Sequence, residues 1–149
     1  MMNSNNSVSS AAQPTEFWLG IEQFNQRNYY ACHDTLEAIW LEAAPDERAF
    51  YQGILQIAVG LYHLTNLNWR GAAILLGEGS HRLNIYEECY GGINVTDLVD
   101  QAINWLNALQ KTGPNQVQQL ASLLDGHLEA ATSDIEHGGQ LTPPHIQLA

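Results

Sequence analysis

A histidine and a glutamate stand four residues apart in the stretch YYACHDTLEAIW, which runs from Tyr29 to Trp40. A helix rotates by about 100° per residue, so Glu37 lies about 40° from His33 and both share one side with Tyr29 and Trp40. A helical H-x-x-x-E pair can bind one metal ion, as the two histidines of H-E-x-x-H do. It can also act as an acid–base pair. The stretch therefore marks a candidate site.

A second polar line crosses the most apolar part of the chain, FYQGILQIAVGLYHL, residues 50–64. On a helix, Gln56 lies about 40° and His63 about 20° from Gln52. A short loop around Pro45 joins this helix to the preceding one, which predicts antiparallel neighbours. We therefore expect a polar pocket between the second and third helices, where the imidazole and carboxylate of the second meet this line.

Buried polar groups must bond to one another, bind a ligand or open onto a cleft, because an unpaired buried carboxylate or amide is costly. One interpretation is structural, in which His33, Glu37, Gln56 and His63 form a closed hydrogen-bond network that fixes helix register. The second interpretation is a metal site. His33, Glu37 and His63 would supply two imidazoles and one carboxylate, a set suited to Zn, Mn or Fe(II).

A third interpretation needs no metal. Glu37 and His33 would then act as catalytic acid and base, or would anchor a small ligand beside Tyr29, Tyr62 and Trp40. The enzymatic alternative with the most support is a metal-dependent hydrolase, in which the ion activates water. The non-enzymatic alternative is a helical-hairpin interaction module that recognises a peptide or protein partner.

Helical periodicity predicts one all-α domain, a multi-helix bundle of antiparallel hairpins. The six predicted helices span about residues 15–26, 29–43, 45–65, 69–89, 94–111 and 116–132, with no strand. Thr15, Asn28, Asn68 and Asn94 or Thr96 are candidate N-caps, and Pro45 suits a first helical turn. Gly91 and Gly92 are expected to end the fourth helix.

The two ends of the chain differ from this body. We expect residues 1–13 to be a disordered tail, residues 14–137 to form the helical domain, and residues 138–149 to be an extended, proline-containing tail. In that last segment Ile146 and Leu148 alternate with polar residues. The sequence leaves open whether it lies along the body.

The charge is strongly acidic, with 16 Asp and Glu against 5 Lys and Arg and a net charge of −11. Such a chain repels phosphate backbones and anionic lipid surfaces, so neither nucleic acid nor a membrane is an expected partner. Cys32 and Cys89 form no disulfide or metal-binding pattern. We find no apolar leader or spanning stretch and expect a cytoplasmic protein that binds a small molecule or a protein. Its apolar content makes a homodimer plausible.

Three ordered motifs resemble one family. They are F-N-x-R-x-Y-Y-x-x-H-D-x-L-E-x-x-W from Phe24, R-x-F-Y-Q-G-I-L-Q-I-A-V-G-L-Y-H from Arg48, and N-W-R-G-A-x-x-L-L from Asn68. Together they resemble the bacterial and archaeal domain-of-unknown-function family 309, over about residues 17–83. Asp34 stands where glutamate is more usual in that family.

The resemblance implies a small all-helical protein, and members of the family are sometimes labelled predicted metal-dependent hydrolases. Carried onto this chain, that label implicates His33, Glu37 and His63. The nearby residues that it implies are Gln52, Gln56 and Asn68.

Overall fold

The fold is a helical bundle with one very short hairpin. The computed structural model describes residues 13–125 and 141–149. Its elements in chain order are α1 (Thr15–Asn25), α2 (Tyr29–Leu41), α3 (Pro45–Thr65), α4 (Trp69–Leu83), β1 (Cys89–Tyr90), β2 (Ile93–Asn94), α5 (Val95–Thr112), a 3₁₀ turn (Pro114–Gln116) and α6 (Val117–Leu124). The all-α prediction is confirmed.

Side-chain caps fix two helix starts as the sequence predicts. The side chain of Asn68 accepts a hydrogen bond from the amide of Gly71, and that of Asn94 accepts one from the amide of Asp97. Pro45 occupies the first turn of α3, where its missing N–H has no partner to lose. The prediction for Thr15 is wrong, because it is the first helical residue and the extended Pro14 precedes it.

Helix α3 is the centre of the bundle, because it packs against both α2 and α4. Ten of its residues are buried, as its nearly continuous apolar sequence predicts. Gly53 and Gly60 face α4, where added Cβ atoms would meet Leu83 and Leu76 within 3.1 Å. Helices α3 and α4 therefore approach each other closely.

The predicted fourth helix is too long, since α4 ends at Leu83 and a hairpin follows. Cys89 pairs with Asn94 and Tyr90 with Ile93 in antiparallel register. Gly91 and Gly92 form the two-residue turn with φ of +63° and +88°. Two consecutive positive φ values suit a type I′ turn, whose twist matches that of paired strands. The two glycines thus turn a hairpin rather than end a helix.

Residues 141–149 lie against the body without helical structure, with Leu141 and Ile146 buried. Residues 1–12 and 126–140 lie outside the described residues. The predicted disordered start, the end of the predicted sixth helix and the boundary at residue 138 therefore lie there wholly or in part. None of the described helices is long and apolar enough to cross a membrane.

Candidate functional site

His33 and two carboxylates form a small polar group on α2. The Nε2 atom of His33 lies 3.3 Å from Oε1 of Glu37, and its Nδ1 atom lies 3.3 Å from Oδ1 of Asp34. Helical spacing of four residues brings His33 and Glu37 together, as predicted. Asp34 was missed as a site residue, since adjacent helical residues diverge by about 100°. The imidazole spans that gap because its two nitrogens point in different directions.

This group is open to solvent. The side chain of His33 is 26% exposed, that of Glu37 45% and that of Asp34 60%. The tyrosine rings beside it form a partial wall, with Tyr30 at 5.8 Å from the His33 ring and at 5.2 Å from the Tyr62 ring. The carboxylates are therefore hydrated, and a dissolved ion or molecule can reach them without displacing a helix.

Gln56 was predicted to face the polar residues of α2, and this prediction is wrong. Its Nε2 donates to Glu78 at 3.3 Å, and its Oε1 accepts from Nε of Arg82 at 3.0 Å. Both partners lie on α4. The buried amide is thus satisfied on the side of α3 that approaches α4 most closely, away from the interface expected to hold it.

His63 also turns to α4. Its Nδ1 lies 3.3 Å from Nδ2 of Asn68, and its ring lies beside Gly71 in the first turn of α4. Within residues 13–125 and 141–149, the group with metal-binding geometry is His33, Asp34 and Glu37, with donor atoms within 4.8 Å of one another. The predicted set of His33, Glu37 and His63 is corrected accordingly.

The other predicted pocket residues are dispersed. Tyr29 is a core residue, 3% exposed, with its ring edge-to-face on Phe24 and its pKa raised by burial. Trp40 is half-buried, with the Arg48 guanidinium 6.0 Å from its ring centre. Gln52 is half-buried on α3. Tyr62, which was also predicted to line the pocket, lies near His33, because its ring packs against that of Tyr30 and the Tyr30 ring packs against His33.

The donor set of the α2 group fits a divalent cation. It offers the Nε2 of His33 with the Glu37 carboxylate beside it, and the Asp34 carboxylate lies at the other ring nitrogen. Zn, Mn and Fe(II) all accept imidazole and carboxylate ligands. Two donors about 2.05 Å from a tetrahedral Zn²⁺ are about 3.3 Å apart. His33 Nε2 and Glu37 Oε1 are separated by that distance. The same two atoms also suit a shared proton, since both are acid–base groups.

A second polar cluster, whose residues were not predicted as a site, lies at the start of α3. The Tyr90 hydroxyl donates to Glu47 at 2.9 Å, and the Tyr51 hydroxyl donates to Gln13 at 2.7 Å. Burial and the nearby Glu47 carboxylate raise the pKa of Tyr51 to about 12. Burial, and then the hydrogen bond to Glu47, raise that of Tyr90. An open pocket of about 430 Å³ adjoins Glu47 and Tyr51.

Residues 17–75 match the family described as Domain of unknown function (DUF309), which confirms the resemblance over that part of the chain. The Uncharacterized protein YpuF of Bacillus subtilis (strain 168) is 39% identical over 57 residues. The matched segment covers 38% of this chain and 33% of YpuF. This chain thus spans about a third of that relative. No solved structure matches the chain.

Proposed function

We propose that the protein binds a divalent cation through His33 and Glu37 and uses the site for hydrolysis. The observation that supports this proposal is the 3.3 Å separation of His33 Nε2 and Glu37 Oε1 on a solvent-facing turn of α2. That spacing suits two ligands of one ion. The remaining coordination positions would face solvent, where water and substrate can enter.

Asp34 has a different role in this proposal. Its carboxylate faces Nδ1 of His33, the nitrogen directed away from Glu37. A hydrogen bond from Nδ1–H to a carboxylate fixes the imidazole tautomer that leaves Nε2 free to bind a cation. Asp34 is thus a positioning residue, and His33 and Glu37 are the ligands.

A bound divalent ion would lower the pKa of a coordinated water and polarise a substrate oxygen. The chain supplies the surroundings of that chemistry. Tyr30 and Tyr62 provide an aromatic wall for an apolar part of the substrate. The side chain of Asp34 is 60% exposed, so water reaches the carboxylate beside the imidazole. Because the site lies on an open helical surface, the expected substrate is a small molecule.

The closed-network alternative is less well supported, since Gln56 and His63 bond to residues of α4 or its cap. The acid–base alternative uses the same His33–Glu37 pair and differs in needing no metal. The test must therefore measure binding of the ion itself.

Titration calorimetry of the full chain with Zn²⁺, Mn²⁺ and Fe²⁺ tests the proposal. We expect one ion per chain for at least one metal, and loss of binding in His33→Ala and Glu37→Gln. Asp34→Asn should weaken binding by about 10–100-fold, as for other residues that orient a ligating histidine. The matched control His63→Ala should bind as the wild type does. Absence of binding, or equal loss in His63→Ala, would overturn the proposal.

A hydrolase assay then separates the chemistry from the ion. Ester, amide and phosphoester model substrates are compared with the preferred metal present and after chelation. Turnover that depends on metal and disappears in Glu37→Gln supports the enzyme. Turnover that survives chelation, with unchanged sensitivity to His33→Ala, supports the acid–base alternative instead.

A further inference from the structure

Beside the proposed metal site, α2 carries an aromatic ring and a carboxylate that can both contact a substrate. Tyr30 and Asp34 are four residues apart in the helix, so their side chains lie on the same side of it. Tyr30 is 54% exposed, and its ring lies 5.8 Å from the ring of His33. A molecule that reaches an ion on His33 therefore lies next to this ring and this carboxylate.

The carboxylate of Asp34 keeps acceptor positions that His33 does not use. Its Oδ1 atom lies 3.3 Å from Nδ1 of His33, and its side chain is 60% exposed. An ionised carboxylate has about four acceptor positions on its two oxygens, and one hydrogen bond from Nδ1–H occupies one of them. An ammonium group has donors and no acceptor. The open side of Asp34 therefore suits an ammonium group that arrives from solvent.

The tyrosine rings of this surface suit the same group. The rings of Tyr30 and Tyr62 are 5.2 Å apart and tilted by 46° to each other, so they form a corner rather than a flat stack. The face of an aromatic ring carries negative charge density and attracts a cation that lies within about 6 Å of its centre. The same rings can also contact the apolar part of an organic substrate. An organic cation therefore gains from both properties of the rings.

The charge around the site favours a cation over an anion. The residues of α2 include Asp34 and Glu37 but no Lys or Arg. Arg48 of α3 lies at the ring of Trp40 and donates to the carbonyl of Ala43. The whole chain carries a net charge of −11, which repels anions and attracts cations as they approach. An anionic substrate such as a phosphoester thus meets no Lys or Arg side chain on α2.

We propose that the substrate of the His33 site is a small organic cation, an ester or amide that carries an ammonium group, and that Asp34 and the Tyr30 ring hold this group. The inference rests on the function proposed above and adds the substrate class to it. Charge balance permits the arrangement, since the carboxylates of Asp34 and Glu37 together offset the two positive charges of the ion. Asp34 then has two roles, because it orients His33 and also binds the ammonium group.

Two probes of nearly equal size separate charge from shape. Benzylammonium and benzyl alcohol share an aromatic ring and a methylene group, and they differ in whether an ammonium or a hydroxyl group follows. Each is titrated into the ¹⁵N-labelled full chain, without metal and with Zn²⁺ bound, and binding is followed by the amide shifts of Tyr30, His33 and Asp34. We expect a dissociation constant about fivefold lower for benzylammonium than for benzyl alcohol in both states.

Three variants locate the source of this preference, and they are compared without metal because Asp34→Asn also weakens metal binding. Tyr30→Leu keeps apolar surface and removes the ring, and Asp34→Asn removes the negative charge. Each should reduce the preference to about twofold or less. Glu42→Gln is the matched control, because exposed Glu42 follows the last residue of α2 and its loss changes the net charge by the same amount. This variant should keep the wild-type preference. An equal loss in Glu42→Gln and Asp34→Asn would show that the overall charge attracts the cation, and would overturn the proposal.

Calorimetric titration of the metal distinguishes failure of the substrate class from failure of the metal site. Metal binding without a preference for benzylammonium would overturn the substrate class and leave the metal site standing. Absence of metal binding would overturn the proposed function and the substrate class with it. Tyr30→Leu should bind the metal as the wild type does, because the ring is not a ligand.

Discussion

A Cβ atom placed on Gly79 of α4 would lie 2.8 Å from the carbonyl oxygen of Gly53 on α3. The two glycines therefore let the backbones of these helices come closer than any side chain would permit. This contact decides which neighbour the polar face of α3 meets. Once α4 lies so near, the long side chain of Gln56 reaches Glu78 and Arg82.

We predict that Gly79→Ala destabilises the fold by about 1–3 kcal/mol or more, because the new methyl group meets backbone that cannot rotate away. Gly77→Ala on the same helix is the matched control. Its Cβ would meet one atom of Leu106 at an ordinary 3.7 Å, so the higher helix propensity of alanine should stabilise by about 0.5–1 kcal/mol. Urea unfolding measures both changes. Equal effects of the two substitutions would contradict the proposed contact.

The sequence predicts the helices well, because apolar periodicity, Pro45 and the two asparagine caps act within one turn of the chain. It predicts the site only in part. Rotation about the axis of α3 places Gln56 and His63 on one face of that helix. Rotation about the axis of α2 places His33 beside Glu37. It does not say which neighbouring helix each face meets, since that depends on the approach of α3 and α4.

Two further features, the position of Asp34 and the hairpin turn, were not predicted from the sequence. Asp34 was not among the predicted site residues, yet the two nitrogens of the His33 imidazole reach both carboxylates. The pair Gly91-Gly92 fits a helix stop and a hairpin turn equally well by composition. Only the pairing of Tyr90 with Ile93 decides between them.

The hairpin turn gives a second prediction. Gly91 has φ of +63°, and a Cβ there would lie 2.7 Å from the ring of Phe50. Gly91→Ala should therefore lower the free energy of unfolding by about 1–2 kcal/mol because of the left-handed backbone, and by a further amount because of the clash with the ring. The control for the backbone part alone is the same substitution in a Phe50→Leu background, compared with Phe50→Leu itself, because the ring that the new Cβ would meet is then gone. Thermal unfolding should show the larger loss for Gly91→Ala in the wild-type background. A loss no greater than that of the control would mean that the Phe50 ring moves aside freely.

A double-mutant cycle tests the position of Gln56. We expect Gln56→Leu to destabilise by about 1–2 kcal/mol, since it removes two hydrogen bonds to charged groups. Combined with Arg82→Met, it should show a coupling energy of about 1 kcal/mol. Combined with His33→Ala, it should be additive within about 0.5 kcal/mol. Coupling to His33 without coupling to Arg82 would instead restore the pocket predicted between α2 and α3.

The raised pKa of Tyr51 predicts that the protein loses stability in alkali. Burial and the Glu47 carboxylate raise the pKa of Tyr51 from 10.0 to about 12. Because the folded-state pKa is the higher one, the unfolded chain loses its phenolic proton first as pH rises. The stabilisation is thus complete below pH 10 and is lost as pH approaches about 12. Urea unfolding across this window should show that the free energy of unfolding falls as pH rises. For the Tyr51→Phe variant this free energy should fall less steeply. Ultraviolet titration of tyrosinate in the folded protein should show one fewer late-ionising group in that variant. A variant whose pH dependence matches the wild type would exclude Tyr51 as a source of the slope.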